Sequence, residues 1–151
     1  MFQAVYATRR KAGAVFFNHA CTSSCVSNSA ISILSMVGSF SPAFRSSEAE
    51  LELCDQLGLA FLPWSPLGGI TAAARLGSAH TAFEQVAAER DVTPQRICLA
   101  WLLAKSPHVI PIPGSSRPET IQDSARAVDV DLTRDEFDRL DVLPDHTASQ
   151  D

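Results

Sequence analysis

The hydrophobic positions of this chain follow a strand-like pattern in some segments and a helical pattern in others. Residues 60–64 and 108–112 are short apolar runs bounded by turn residues, which is typical of buried strands, and residues 33–37 are a further candidate. Pro111 cannot donate a ladder hydrogen bond, so pairing is expected to fade there. Residues 79–90 repeat apolar side chains at the spacing of an amphipathic helix.

Capping residues mark where the predicted helices begin and end. Three hydroxyl residues precede a glutamate by three positions, which is the spacing of a capping box: Ser47 with Glu50, Ser116 with Glu119, and Thr133 with Glu136. Thr93 followed by Pro94 predicts another helix start, and Gly58 predicts a helix end. Residues 70–78 follow neither period and are predicted to form an extended loop.

The order of these elements predicts an α/β fold with parallel strands, because each return from one strand to the next passes through a helix. The length of 151 residues is sufficient for one domain. In such folds, ligands bind at the carboxyl ends of the strands. The loops that follow residues 64 and 112 are therefore the candidate sites.

The two loops offer different chemistry. In the first, Ser65 supplies a hydroxyl, and Gly68 and Gly69 allow a ligand to approach the backbone closely. The second consists of Gly114, Ser115, Ser116 and Arg117 and leads into a helix, whose first N–H groups attract anions. Arg117 could hold a phosphate through two hydrogen bonds. The same residues also fit an ordinary capped helix start with a solvated arginine.

Composition and charge narrow the possible functions. The chain is 46% hydrophobic and 19% charged, with a formal net charge of -5, which gives no support for nucleic-acid binding. No run approaches the roughly 18 apolar residues that a membrane span needs. Four cysteines without a clear signal peptide favour reduced thiols and a cytoplasmic location. His19, Cys21 and Cys25 lack a second pair of metal ligands, so no metal site is predicted.

Charge is distributed unevenly between the two ends of the chain. Residues 1–47 contain no Asp or Glu, whereas all 17 acidic residues lie in 48–151. An acid-free, serine-rich start with several arginines resembles a transit peptide in composition, but a segment with a separate history is the preferred interpretation. We therefore predict a divergent or poorly ordered segment at 1–40 and a tail at 144–151.

Several sequence segments resemble the C-terminal half of an aldo/keto reductase. In chain order they are Arg45-Ser46-Ser47-Glu48 with Leu51 and Cys54, the run from Gly58 through Phe61-Leu62-Pro63-Trp64-Ser65-Pro66-Leu67 to Gly69, Val92-Thr93-Pro94-Gln95, Leu99-Ala100-Trp101-Leu102-Leu103, and Val109 to Arg117. The resemblance covers about residues 41–143. It implies a partial TIM (β/α)₈ barrel, with 33–37, 60–64 and 108–112 as its sixth, seventh and eighth strands, in a family that reduces carbonyls with NADPH.

The resemblance also implies which residues would contact NADP(H). Ser65, Pro66, Leu67, Gly68 and Gly69 would lie along the pyrophosphate. After Gly114, the residues Ser115, Ser116 and Arg117 would hold the adenosine 2′-phosphate, with Gln122 and Ser124 near the adenine.

The chain departs from the family in the catalytic half. A complete barrel needs about 250 residues, and the family's catalytic Asp, Tyr, Lys and His come from its first half. Tyr6 is the only tyrosine and Lys11 and Lys105 are the only lysines, none in a similar context, so no catalytic residue is predicted. The residues Ser35-Met36-Val37-Gly38 stand where the family has a Ser-Val-Gln-Asn run, so both amides beside the nicotinamide are missing.

Three functions remain open on the sequence alone. The first is a truncated NADP(H)-dependent oxidoreductase, with or without another polypeptide that supplies the missing strands. Alternatively it is a non-catalytic fragment that binds NADP weakly or interacts with a partner. The third alternative is a truncated product without a function of its own, whose open strand edges invite pairing with another chain.

Overall fold

The computed structural model describes residues 35–142. Their elements are β1 (Ser35–Ser39), α1 (Glu48–Leu57), β2 (Ala60–Trp64), α2 (Ile70–Ala74), α3 (Leu76–Ala79), α4 (Thr81–Glu89), α5 (Pro94–Lys105), α6 (Pro118–Ala125), a 3₁₀ turn (Arg126–Asp129) and α7 (Arg134–Leu140). The predictions for His19, Cys21, Cys25, Tyr6, Lys11 and the tail at 144–151 lie outside the described residues.

The strands run parallel, as the sequence predicts. β1 pairs with β2 in a register that sets Ser35 opposite Ala60 and Ser39 opposite Trp64. Residues 109–112 join the other side of β2 through two parallel bridges, Phe61 with Val109 and Trp64 with Ile112. We call this segment the third strand. The predicted strand at 33–37 begins outside the described residues, and β1 ends at Ser39, two residues later than predicted.

The ladder between β2 and the third strand lacks one hydrogen bond, at Pro63. The prediction that Pro111 would weaken this pairing is therefore wrong. Ile110 donates its N–H to the carbonyl of Phe61 at 2.8 Å, and Ile112 donates to that of Pro63 at 3.3 Å. The missing ladder bond is the one that position 63 would donate, because proline has no N–H. Successive amides point to opposite edges of a strand, so the nitrogen of Pro111 faces away from β2.

Two predictions about helices are wrong. Residues 70–78 are not an extended loop, since they form α2 and most of α3. The capping boxes at Ser47 and Ser116 do not form: Ser47 makes no capping hydrogen bond through its side chain, and the N-cap of α6 is Arg117. The box of Thr133 with Glu136 is confirmed, and so are the cap at Thr93 and the left-handed stop at Gly58.

The core is built around α5, which lies beneath the sheet and is buried from Ile97 to Leu102. Trp101 is fully buried, stacks on Phe40 at 5.8 Å between ring centroids, and meets Phe83 edge to face at 5.9 Å. Such pairs add to the free energy of apolar burial. Cys54 and Cys98 are free thiols, as predicted, and both lie inside this core, where burial raises their pKa.

A cluster of charges holds the C-terminal end of α7 against the core. Asp141 accepts hydrogen bonds from Arg45 at 3.1 Å and from the indole N–H of Trp101 at 3.1 Å, and forms an ion pair with Lys105 at 2.7 Å. Lys105 also binds Glu48 at 2.6 Å. Lys105 therefore has a structural role. Within residues 35–142, no helix is long and apolar enough to cross a membrane.

Candidate functional site

The two candidate loops start side by side at one edge of the sheet. Trp64 is the last residue of β2, and it pairs in parallel with Ile112 in the third strand. Parallel strands end at the same edge, so Ser65 and Pro113 continue from neighbouring positions. The first loop is Ser65–Gly69 and the second is Gly114–Arg117.

The first loop is a tight turn with an unusual backbone. Ser65 has φ of 51°, a left-handed conformation that is uncommon for a residue with a side chain. Gly68 closes the turn by donating its N–H to the carbonyl of Ser65 at 2.8 Å. A methyl group at Gly68 would come within 2.9 Å of the Ala72 side chain, and Gly69 has φ of 91°. Backbone strain of this kind tends to concentrate at functional sites.

The inner part of this loop is anchored in the core. Pro66 and Leu67 are buried, and the thiol of Cys98 lies 3.6 Å from the carbonyl of Pro66. Gly68 and Gly69 are exposed. The loop therefore presents a glycine backbone at the surface on a fixed support.

The second loop is exposed along its whole length. Ser115 shapes it, because its hydroxyl accepts a hydrogen bond from the N–H of Arg117 at 3.1 Å. Arg117 forms no ion pair with any described residue. It immediately precedes α6, whose first amides have no partner within the helix. A guanidinium and free N–H groups at one point suit an anion.

The N-terminus of α5 ties both loops to one support. Gln95 donates a hydrogen bond to the carbonyl of Ala73 in α2 at 2.6 Å, which fixes the helix after the first loop. The next residue, Arg96, binds Asp123 in α6, with its Nε at 3.0 Å. Thr93 also donates to Asp123. The relative position of the two loops is thus held by a single buried helix.

A cavity of about 420 Å³ adjoins the first loop. Leu67, Gly68, Arg75 and His80 are among the residues that line it. Arg75 is exposed and forms no ion pair within residues 35–142. Partial burial, followed by the nearby charge of Arg45, lowers the pKa of His80, which favours the neutral imidazole.

Sequence reasoning missed Arg75 because it assigned residues 70–78 to a loop. Because α2 is a helix, Arg75 at its end lines the same cavity as Gly68, whereas an extended chain would carry it away. The alanines at 72–74 have high helix propensity and were the available signal. Trp64 was also missed as an accessible aromatic: it is 53% exposed, directly before Ser65.

The two residues expected near an adenine differ in accessibility. Gln122 is exposed on α6 and Ser124 is buried, with 5% of its surface accessible. Among the described residues, no cluster of His, Cys, Asp and Glu could hold a metal ion.

Comparison with known proteins points to the family that the sequence segments resemble. A profile of the aldo/keto reductase family matches residues 10–144. The chain is 33% identical to an uncharacterized oxidoreductase of Schizosaccharomyces pombe over 109 residues, which are 72% of this chain and 34% of that protein. It is 29% identical to pyridoxine 4-dehydrogenase of Escherichia coli over 111 residues, 74% of this chain and 37% of that protein.

Solved structures give the same answer. An aldo/keto reductase from Klebsiella pneumoniae, in complex with NADP and acetate, superposes with a TM-score of 0.59 and 25% identity, covering 71% of this chain and 38% of that one. The chain therefore spans little more than a third of the length of these relatives.

Proposed function

This chain belongs to the aldo/keto reductase family, and on that premise we propose that it binds NADP(H) along the two loops at the carboxyl edge of its sheet. The observation that carries the proposal is the parallel pairing of Trp64 with Ile112, from which both loops start. The NADP complex of the Klebsiella pneumoniae relative supports the choice of cofactor.

The residues at this edge fit a dinucleotide with several phosphates. Gly68 and Gly69 leave room for a pyrophosphate against the backbone, and Arg75 in the adjoining cavity supplies an exposed cation. Arg117 supplies a second cation at the start of α6. Two unpaired guanidinium groups at one edge match two separate phosphate groups.

We assign roles along the nucleotide accordingly. The first loop, from Ser65 through Pro66 and Leu67 to Gly69, lies along the pyrophosphate. Gly114, Ser115, Ser116 and Arg117 hold the 2′-phosphate, with Gln122 and Ser124 toward the adenine. Because Ser124 is buried, Gln122 is the more accessible of these last two.

The isolated chain is proposed to lack turnover. When bound, NADPH supplies hydride for carbonyl reduction, and the protein must supply the proton from a general acid. Tyr6 is the only tyrosine of the sequence, and it precedes the described residues. Lys105 is engaged by Glu48 and Asp141, away from the site edge.

We further propose that β1 and residues 41–143 together form the C-terminal half of a (β/α)₈ barrel, followed by a tail at 144–151. The segment 1–40, expected to be divergent or poorly ordered, therefore contributes at least the strand Ser35–Ser39 to this unit. Three parallel strands and the small share of the relatives' length support this organisation. A reductase completed by another polypeptide is the alternative. It is favoured because, within residues 35–142, the outer edges of β1 and of the third strand pair with no further strand. A cytoplasmic location is part of the proposal, since Cys54 and Cys98 are free.

Two measurements test this function. Titration calorimetry of the full chain should detect NADPH binding that is tighter than NADH binding, and absence of heat with either nucleotide would refute the cofactor site. An NADPH-oxidation assay with a panel of aldehydes should give no signal above background. Saturable oxidation would instead establish an active enzyme and leave the cofactor assignment intact.

A further inference from the structure

One face of the sheet is apolar and uncovered among the described residues. Side chains alternate between the two faces of a strand. On the face toward the helices, Phe61, Pro63, Val109 and Pro111 are buried. On the opposite face, Val37 is 65% exposed, Trp64 is 53% exposed and Ile112 is 48% exposed, with Leu62 and Ile110 partly exposed between them. We call these five residues the open face.

The strand register makes the open face continuous. Val37 stands opposite Leu62, and Trp64 stands opposite Ile112. Parallel sheets occur almost only with both faces covered, because their strands are apolar on both sides. A contiguous exposed apolar patch marks a surface that another element occupies. No charged side chain interrupts this face within the three strands.

The first 34 residues of the chain are suited to cover it. The segment ends at residue 34, directly before β1, so it is tethered to the strand that carries Val37. Extended chain spans about 3.3 Å per residue, so this length could cross a five-residue sheet several times. The segment contains the apolar run Ala14-Val15-Phe16-Phe17.

The distribution of charge along the chain also favours residues 1–34 as the segment that covers the open face. Residues 1–34 carry Arg9, Arg10 and Lys11 and no acidic residue, whereas all 17 acidic residues lie in 48–151. A second copy of the chain would bring the same net charge of -5 against itself. Opposite net charge attracts the segment to the body, while like net charge opposes self-association.

We propose that residues 1–34 dock across the open face of their own chain, with Phe16 and Phe17 against Trp64 and Ile112. This inference does not depend on nucleotide binding.

Fluorescence quenching tests the docking on the full chain without nucleotide. The chain has two tryptophans, and Trp101→Phe leaves Trp64 as the sole reporter. Acrylamide should quench Trp64 several-fold less in this variant than in the same variant carrying Phe16→Asp and Phe17→Asp. Ser23→Asp with Ser24→Asp adds the same charges without removing apolar contacts and should leave the quenching low. If acrylamide quenches Trp64 fully in the Trp101→Phe variant, the proposal is overturned.

A second measurement avoids any change in the core. Ile112→Cys should react with iodoacetamide several-fold more slowly than Ile70→Cys, whose position is 91% exposed, as read by mass spectrometry of the labelled peptides. Equal rates at the two positions contradict the docking. Protection that disappears on dilution, together with a dimer in light scattering, would assign the face to a second copy and would also overturn the proposal.

Discussion

At the scale of single residues, the candidate site depends on backbone conformation and on unpaired cations. Ser65 is held in a left-handed conformation by the turn that Gly68 closes. Arg75 and Arg117 are exposed arginines with no ion pair among residues 35–142. Arg96 is engaged by Asp123 and positions α6. The sequence could identify Arg117 from its place before a helix, but it could not separate the free arginines from the engaged ones.

Arg117→Ala should weaken NADPH binding and leave NADH binding unchanged, because only NADPH carries the 2′-phosphate. A hydrogen bond to a charged group contributes about 1.5–3 kcal/mol, so the dissociation constant should rise roughly tenfold or more. Arg126→Ala is the matched control, since Arg126 is exposed in the 3₁₀ turn and also lacks an ion pair within the described residues. Calorimetry measures both variants, and an equal loss for the two nucleotides would count against the assignment.

Gly68→Ala should destabilise the protein more than Gly58→Ala does. Both glycines have positive φ, 76° and 67°, where a side chain costs about 1–2 kcal/mol. A methyl group meets nothing within 4 Å at Gly58 but approaches the Ala72 side chain to 2.9 Å at Gly68. Urea unfolding of both variants isolates this steric contribution. Equal losses of stability would mean that the first loop is looser than its geometry indicates.

At the scale of elements, the helices differ in how their ends are fixed. At α7, Thr133 accepts from the N–H of Glu136, and Glu136 accepts from the N–H of Thr133 at 2.6 Å. At α1, Ser47 has the same sequence signal but not the extended backbone that capping requires, with φ of -96° and ψ of 25°. The preceding turn, closed by a hydrogen bond from Glu48 to the carbonyl of Arg45, sets this conformation. A capping motif therefore predicts where a helix begins better than it predicts whether the side-chain capping hydrogen bond forms.

Thr133→Ala should lower the free energy of unfolding by about 1 kcal/mol, the usual contribution of an N-cap hydroxyl. Ser47→Ala should change it by less than roughly 0.5 kcal/mol, because no capping bond is lost. Chemical denaturation of the two variants under identical conditions provides the comparison. Equal effects at both positions would contradict the difference between the two helix starts.

At the scale of the whole molecule, ion pairs connect segments that are distant in sequence. Arg90 at the end of α4 donates two hydrogen bonds, of 2.7 and 2.5 Å, to the carboxylate of Glu136 in α7. The Arg90 contact, with the hydrogen bonds from Thr133, lowers the pKa of Glu136 to about 2. Together with the Asp141 cluster, this pair fixes α7 against the core that supports the sheet.

Stability should fall in acid because Glu136 must release Arg90 when it is protonated. Its folded pKa lies below that of an unfolded glutamate, near 4.3, so the stabilisation is complete above about pH 5 and is lost as the pH falls toward 2. Glu136→Gln should be less stable than the natural chain at neutral pH and should lose less stability across this window. Thermal melts between about pH 7 and pH 3 measure the difference. Parallel pH profiles would show that another group governs the acid transition.

The sequence by itself determined the elements whose signals are local. The strand at 60–64, the buried helix from Pro94 and the two glycine-containing loops follow from apolar periodicity and turn residues, which act between near neighbours. The family likewise follows from linear motifs.

Only the tertiary structure decided the features that depend on distant partners. Ser124 becomes buried where α6 packs on the core. The interruption at Pro63 appears only once a strand lies beside it. Which residues stay exposed, including Arg75 and the open face, is set by packing between segments far apart in the chain, and local patterns carry no information about it.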